Sequence, residues 1–161
     1  MKKMNVKFLD LPKQNKLFKE EFMEEVSSIV DSGSYVAGNR VKKFEESFAE
    51  YCDVKFCVAT SSGTSALHAA LACFKVEGDV VTPPNSFIAT SEAVSYMPKL
   101  RHKFIDADRT GGMSASKAES AIEDSKTKIV MPVSLYGNPC DLVEYARLCQ
   151  LNEKFLVHDA A

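Results

Sequence analysis

In the stretch CVATSSGTSALHAALA, residues Thr60 to Ser65 are small and mostly hydroxylated, and they stand where an apolar run gives way to an alanine-rich helical pattern. The free backbone N–H groups of a first helical turn, with the helix dipole behind them, make such a junction a place to hold an anion, and phosphate is the natural guest. Gly63 lets a ligand approach the backbone, while Thr64 and Ser65 add hydroxyl donors. A plain N-cap supplied by Ser62 or Thr64 is the simpler alternative. The junction is neither a G-x-x-x-x-G-K loop nor a G-x-G-x-x-G fingerprint, which argues against a simple nucleotide hydrolase or a nicotinamide dehydrogenase. Further on, FLVHDAA places His158 next to Asp159. Adjacent strand residues point to opposite faces, so the two do not form a catalytic pair. His158 reads as packing or support, and Asp159 as a site carboxylate or the cap of a following helix. For Asp106 and Asp108, two apart on one face, a solvated turn is the simpler reading.

These residues need elements to position them. Phe18, Phe22, Val26 and Ile29 recur at helical spacing with Gly33 placed to stop the helix, and Val41, Phe44, Phe48 and Tyr51 mark a second amphipathic helix. After Cys52 the texture changes to short β-branched and aromatic runs, VKFCVA, DVVTP, HKFID, KIVMPV and KFLVH, each bounded by turn residues. Helical patterns lie between them at Ser65 to Phe74, Ile88 to Met97, Ser116 to Ile122 and Leu142 to Asn152, with Ser116 and Glu119 spaced as a capping box. Alternating strands and helices predict a doubly wound α/β sheet with mostly parallel strands. Ligands in such sheets sit beyond the carboxyl ends of the strands, which is where Ser61–Ser65, Pro83–Phe87, Asp106–Asp108, Ser134–Gly137 and His158–Asp159 fall.

Composition narrows the class. The 161 residues suffice for a domain with a core, and 26% charged residues with a net charge of −2 leave no basic surface for nucleic acid. Apolar residues come in short bursts, so neither a membrane span nor a signal peptide is expected, and a cytoplasmic protein is the default. The five cysteines include no C-x-x-C pair, which points to reduced thiols rather than a disulfide or metal framework.

Several blocks, in order and spacing, carry a resemblance. SSGTSALHAALA, TPPNSFIAT, KIVMPVSLYGNPCDL and FLVHDAA, with VKFLDL, DSGSYVAG and VKKFEESFAEYCDVKFCVATSSGT before them, resemble the DegT/DnrJ/StrS family of pyridoxal-phosphate (PLP) sugar aminotransferases over nearly the whole chain. The resemblance implies a three-layer α/β large domain of fold type I, aspartate-aminotransferase-like, with a mostly parallel sheet. Residues 1–52 would form an amino-terminal helical segment and 53–161 the first part of the PLP-binding large domain. It also implies a homodimer, a nucleotide-linked keto-sugar substrate, glutamate as amino donor, and pyridoxamine phosphate as the alternate cofactor form. Carried over residue by residue, Gly63 and Thr64, with Ser65 beside them, match the phosphate-binding turn. Phe87 matches the aromatic that stacks on the cofactor ring, and Asp159 the carboxylate that pairs with the pyridinium nitrogen. Ser134 stands where many members carry histidine, EGDVV is one residue short of the usual pattern, and YMPKLRHKFID lacks a Gly-Ala turn. The family's Schiff-base lysine would lie beyond Ala161, so no catalytic residue is expected here and the truncated domain should be inactive alone. A lysine-free, pyridoxamine-phosphate-dependent deoxysugar dehydratase of the same superfamily, or a non-catalytic interaction protein, are the alternatives.

Overall fold

The computed structural model describes residues 6–161, which divide into two compact units with the boundary between Ala59 and Thr60. The first holds three helices, α1 (Leu11–Asn15), α2 (Lys19–Ser32) and α3 (Asn39–Tyr51). Gly33, at φ 63°, closes α2 in the left-handed conformation that glycine adopts without steric cost. Arg40 ties α3 to α2, donating through Nε to Glu25 Oε2 at 2.8 Å and through Nη2 to Ser28 Oγ at 2.6 Å. Among its described residues Ala49 alone is buried, and the apolar stripe of Val41, Phe44, Phe48 and Tyr51 is open to solvent.

The run from Val54 to Ala59, expected as a strand, enters no ladder. Its amide at Ala59 donates instead to the Glu45 carboxylate at 2.8 Å, and Phe56 and Val58 are exposed. Residue pattern sets which faces a strand presents, but strand formation needs a neighbouring strand to accept its hydrogen bonds, and the described residues hold none beside this run.

The second unit is the α/β layer structure. Its elements are α4 (Gly63–Cys73), β1 (Gly78–Thr82), α5 (Ile88–Ser95), β2 (Leu100–Phe104), α6 (Ala115–Glu123), β3 (Thr127–Val130), α7 (Leu142–Leu151) and β4 (Phe155–Leu156). The four strands are parallel in the order β2-β1-β3-β4. The two-residue alternation of each strand then builds two cores. Val80 and Ile129 face Leu67, Leu71, Ala93 and Val94 of α4 and α5, whereas Val81 and Val130 face Ala118, Ile122, Tyr145 and Leu148 of α6 and α7. Helices thus cover both faces, and each fully buried valine or leucine contributes about 1.5–3 kcal/mol.

Local chemistry places the element ends. Gly78 opens β1 at φ 152°, where a Cβ would run into the Lys126 carbonyl, so the shortened EGDVV block still turns into the sheet. β2 pairs with β1 in unbroken register from Leu100 opposite Gly78, despite the missing Gly-Ala turn. The cap of α6 is Ser114, whose Oγ accepts from Lys117 N, and not Ser116, whose hydroxyl bonds Ser114. Pro83 and Pro84 follow β1 and lack the amides to prolong its ladder.

Candidate functional site

Between β1 and β3 the strand order reverses direction along the chain, and the loops at the carboxyl ends there part to leave a crevice. A cavity of about 230 Å³ lies in it, walled by Gly63, Thr64 and Leu67 from the start of α4, Phe87 and Ala89 after β1, Val133 and Leu135 after β3, and Asp159 and Ala161 after β4. Gly63, Thr64, Phe87 and Asp159 therefore come together around one space. Ser65 stands a residue back from it, its hydroxyl shared with Ser61 Oγ at 3.1 Å and Ser62 Oγ at 3.0 Å.

Ser62 caps α4 by accepting from Ser65 N at 3.1 Å, and the ladder starts with Ala66 N donating to Ser62 O. The Gly63 and Thr64 amides lie in the first turn of α4, at the positive end of the helix dipole, and both residues line the cavity. Gly63 needs no special backbone angle, and a Cβ there would meet only Ala161 Cβ at 3.9 Å. What the missing side chain preserves is room at the helix tip.

Phe87 is the N-cap residue of α5 and is 71% exposed, so it forms a flat apolar wall rather than core. Asp159 is 6% exposed and its backbone is locked: its N–H donates to Pro132 O at 3.0 Å and its carbonyl accepts from Ser134 N at 2.9 Å. Its carboxylate accepts from Thr90 Oγ1 at 2.6 Å on Oδ2 and from Ala161 N at 3.3 Å on Oδ1. Each carboxylate oxygen keeps a further lone pair. Thr90 is fully buried, and the residue reading missed it. Its only signal was a hydroxyl one helical turn after Phe87 in NSFIAT; the partner lies 69 residues away in sequence.

His158 Nε2 shares a hydrogen bond with Ser134 Oγ at 2.8 Å. Burial lowers its pKa below the usual histidine value, against a weaker upward pull from Asp159. No lysine lines the cavity. Among the described residues no group of His, Cys, Asp and Glu could hold a metal ion, and no helix is long and apolar enough to cross a membrane.

A parallel sheet covered by helices on both faces, with an open helix tip, an exposed aromatic ring and a buried carboxylate at the strand ends, is an α/β domain of the fold type I class, whose solved members are PLP-dependent. The chain belongs to the DegT/DnrJ/EryC1/StrS aminotransferase family, whose pattern matches residues 16–161. GDP-perosamine synthase of Escherichia coli O157:H7 is 39% identical over 127 residues, 77% of this chain and 34% of that protein. The solved structure of DesV from S. venezuelae superposes with a TM-score of 0.90 at 30% identity, covering 97% of this chain and 42% of that one. GDP-4-keto-6-deoxy-D-mannose-3-dehydratase from E. coli, solved with hydrated PLP, gives a TM-score of 0.79 at 26% identity over 86% of this chain and 38% of that one. The chain thus spans between a third and just over two fifths of the lengths of these proteins.

Proposed function

We propose that residues 60–161 form the cofactor half of a PLP-dependent aminotransferase acting on nucleotide-linked keto-sugars, with glutamate as the amino donor. The observation that carries the reading is the convergence of Gly63, Thr64, Phe87 and Asp159 on one cavity at the strand ends. When bound, the cofactor supplies an electron sink for the bond-making and bond-breaking at the substrate carbon, provided its ring nitrogen stays protonated.

The chain's own residues supply the conditions. The Gly63 and Thr64 amides and the Thr64 hydroxyl grip a phosphate at the helix tip. Phe87 fixes the ring plane by stacking. Asp159 holds a proton on the ring nitrogen through a charge-assisted hydrogen bond, and its burial strengthens that bond. Thr90 holds the carboxylate in the orientation this requires. No lysine lines the cavity, so none of the residues around it is assigned the amine that anchors the cofactor and moves the substrate proton. We place the working protein in a homodimer and in the cytoplasm; the five free thiols fit a reducing compartment.

The fold likeness to the E. coli dehydratase favours a second reading, a deoxysugar dehydratase using pyridoxamine phosphate. A chimera joining residues 1–161 to the remaining carboxyl-terminal region of GDP-perosamine synthase tests the site that residues 60–161 supply. Amino transfer from glutamate to a GDP-linked keto-sugar, lost on Asp159→Ala, is expected. Transfer unaffected by Asp159→Ala would overturn the site assignment.

A further inference from the structure

The paired ladder of β3 and β4 ends at Val130 and Leu156, and a last bridge joins Val133 to Asp159. Ser134 stands at this final contact between the two segments. Its N–H donates to the Asp159 carbonyl at 2.9 Å, while its Oγ accepts from Cys140 N at 3.3 Å and meets His158 Nε2 at 2.8 Å. Ser134 is 9% exposed, so water has little room to compete for these positions.

The direction of the bond to the ring depends on what the hydroxyl has left to offer. Cys140 N takes one lone pair, and the single hydrogen can reach either His158 Nε2 at 2.8 Å or Cys140 Sγ at 3.5 Å. An imidazole nitrogen at the shorter distance is the better acceptor, so Ser134 donates to Nε2 and the ring's own proton sits on Nδ1. The charged group that bears on this ring is Asp159, the next residue in the chain. From the β3 side the ring meets the uncharged Ser134, and on the segment leading to α7 the titratable group is the Cys140 thiol, behind Ser134. An imidazolium here would set a cation beside Asp159 and offset the charge that a protonated ring nitrogen needs.

We propose that Ser134 is a positioning residue for Asp159: its amide fixes the backbone that carries the carboxylate, and its hydroxyl, by donating to Nε2, holds the neighbouring imidazole in place. The inference rests on the cofactor reading of the cavity, since the cofactor's ring nitrogen is what Asp159 meets there. Thr90 and Ser134 then hold Asp159 from two sides, one at the carboxylate and one at the carbonyl. The imidazole stays neutral, and the carboxylate keeps its full charge for the cofactor.

The test is nitrogen NMR of the imidazole in the 161-residue chain, free and with pyridoxamine phosphate, for the wild type, Ser134→Ala and Ser134→Thr. In the free wild type His158 should carry its proton on Nδ1, with Nε2 bare. Ser134→Ala should lose that single tautomer, and its ring should titrate closer to the ordinary value of about 6.5. Its deficit in pyridoxamine phosphate affinity relative to the wild type should grow by about threefold from pH 8 to pH 6, as the ring charges. Ser134→Thr keeps the hydroxyl and should restore the wild-type profile, and adding His158→Gln to Ser134→Ala should remove the pH dependence. A wild-type ring protonated on Nε2, or a Ser134→Ala chain matching the wild type in tautomer and in affinity at both pH values, would overturn the proposal. Pyridoxamine phosphate binding to none of these proteins would overturn the cofactor reading and this role with it. The tautomer is read in the free chain, so the two failures carry different signals.

Discussion

Thr90→Val removes one hydroxyl and keeps the side-chain volume, which isolates a single hydrogen bond. Thr90 is fully buried and Asp159 is 6% exposed, so water cannot replace the donor that Oδ2 loses. A hydrogen bond to a charged group contributes about 1.5–3 kcal/mol, and stranding the buried acceptor puts the loss toward the upper end of that range. With a urea dependence of roughly 2 kcal/mol per M, the unfolding midpoint of the variant should fall by about 1 M. Thr90→Ser keeps the donor and loses a methyl group, at about 1 kcal/mol. The hydroxyl also orients Asp159 toward the cavity, so Thr90→Val should weaken pyridoxamine phosphate by about fivefold or more while Thr90→Ser stays near the wild type. Urea unfolding and equilibrium binding on the three proteins give both readouts. Thr90→Val matching the wild type in both, with Thr90→Ser the weaker protein, would refute the reasoning, since packing and not the hydroxyl would then be what matters.

Gly63→Val should leave the unfolding midpoint nearly unchanged, because its Cβ meets only Ala161 Cβ at 3.9 Å, yet reduce pyridoxamine phosphate binding by an order of magnitude or more through loss of close approach; equal losses of stability and binding would return the junction to a plain helix cap. His158 has its pKa lowered in the folded state, so the unfolded chain binds the extra proton first. Its contribution should be complete above the unfolded value of about 6.5 and decline as pH falls below it, a slope that urea titrations should show and that His158→Gln should flatten. Cys149, with its thiol pushed up to about 11 by burial, should be alkylated last at pH 8, after the exposed Cys52 and Cys73, as mass spectrometry of timed samples would reveal.

Much of the fold was legible because burial on both faces of a parallel sheet leaves short apolar runs that stand out between helical repeats. Val80-Val81 and Ile129-Val130 each send one side chain to either core, a pattern local enough to read. What escaped depends on distant partners. Val54 to Ala59 has the composition of a strand, but composition does not supply a neighbouring strand. Ser114 and Ser116 both precede α6, and only backbone geometry makes the first the cap. In the candidate site, Gly63, Thr64, Phe87 and Asp159 were picked out by their junctions and by family blocks, and the fold gathers them. Thr90 was invisible, because a threonine in a helix announces nothing until the chain brings a carboxylate to it.

The central claim is that the cavity at Gly63, Thr64, Phe87 and Asp159 receives the cofactor. Pyridoxamine phosphate is the right probe, since it has the phosphate and the ring but no aldehyde to react with surface lysines. Titrated into the isotope-labelled chain, it should shift the amides of Gly63, Thr64 and Asp159 and the ring signals of Phe87 along one saturable curve, and Asp159→Ala should weaken that curve by about tenfold. Shifts scattered over the surface with those four residues unmoved would contradict the account.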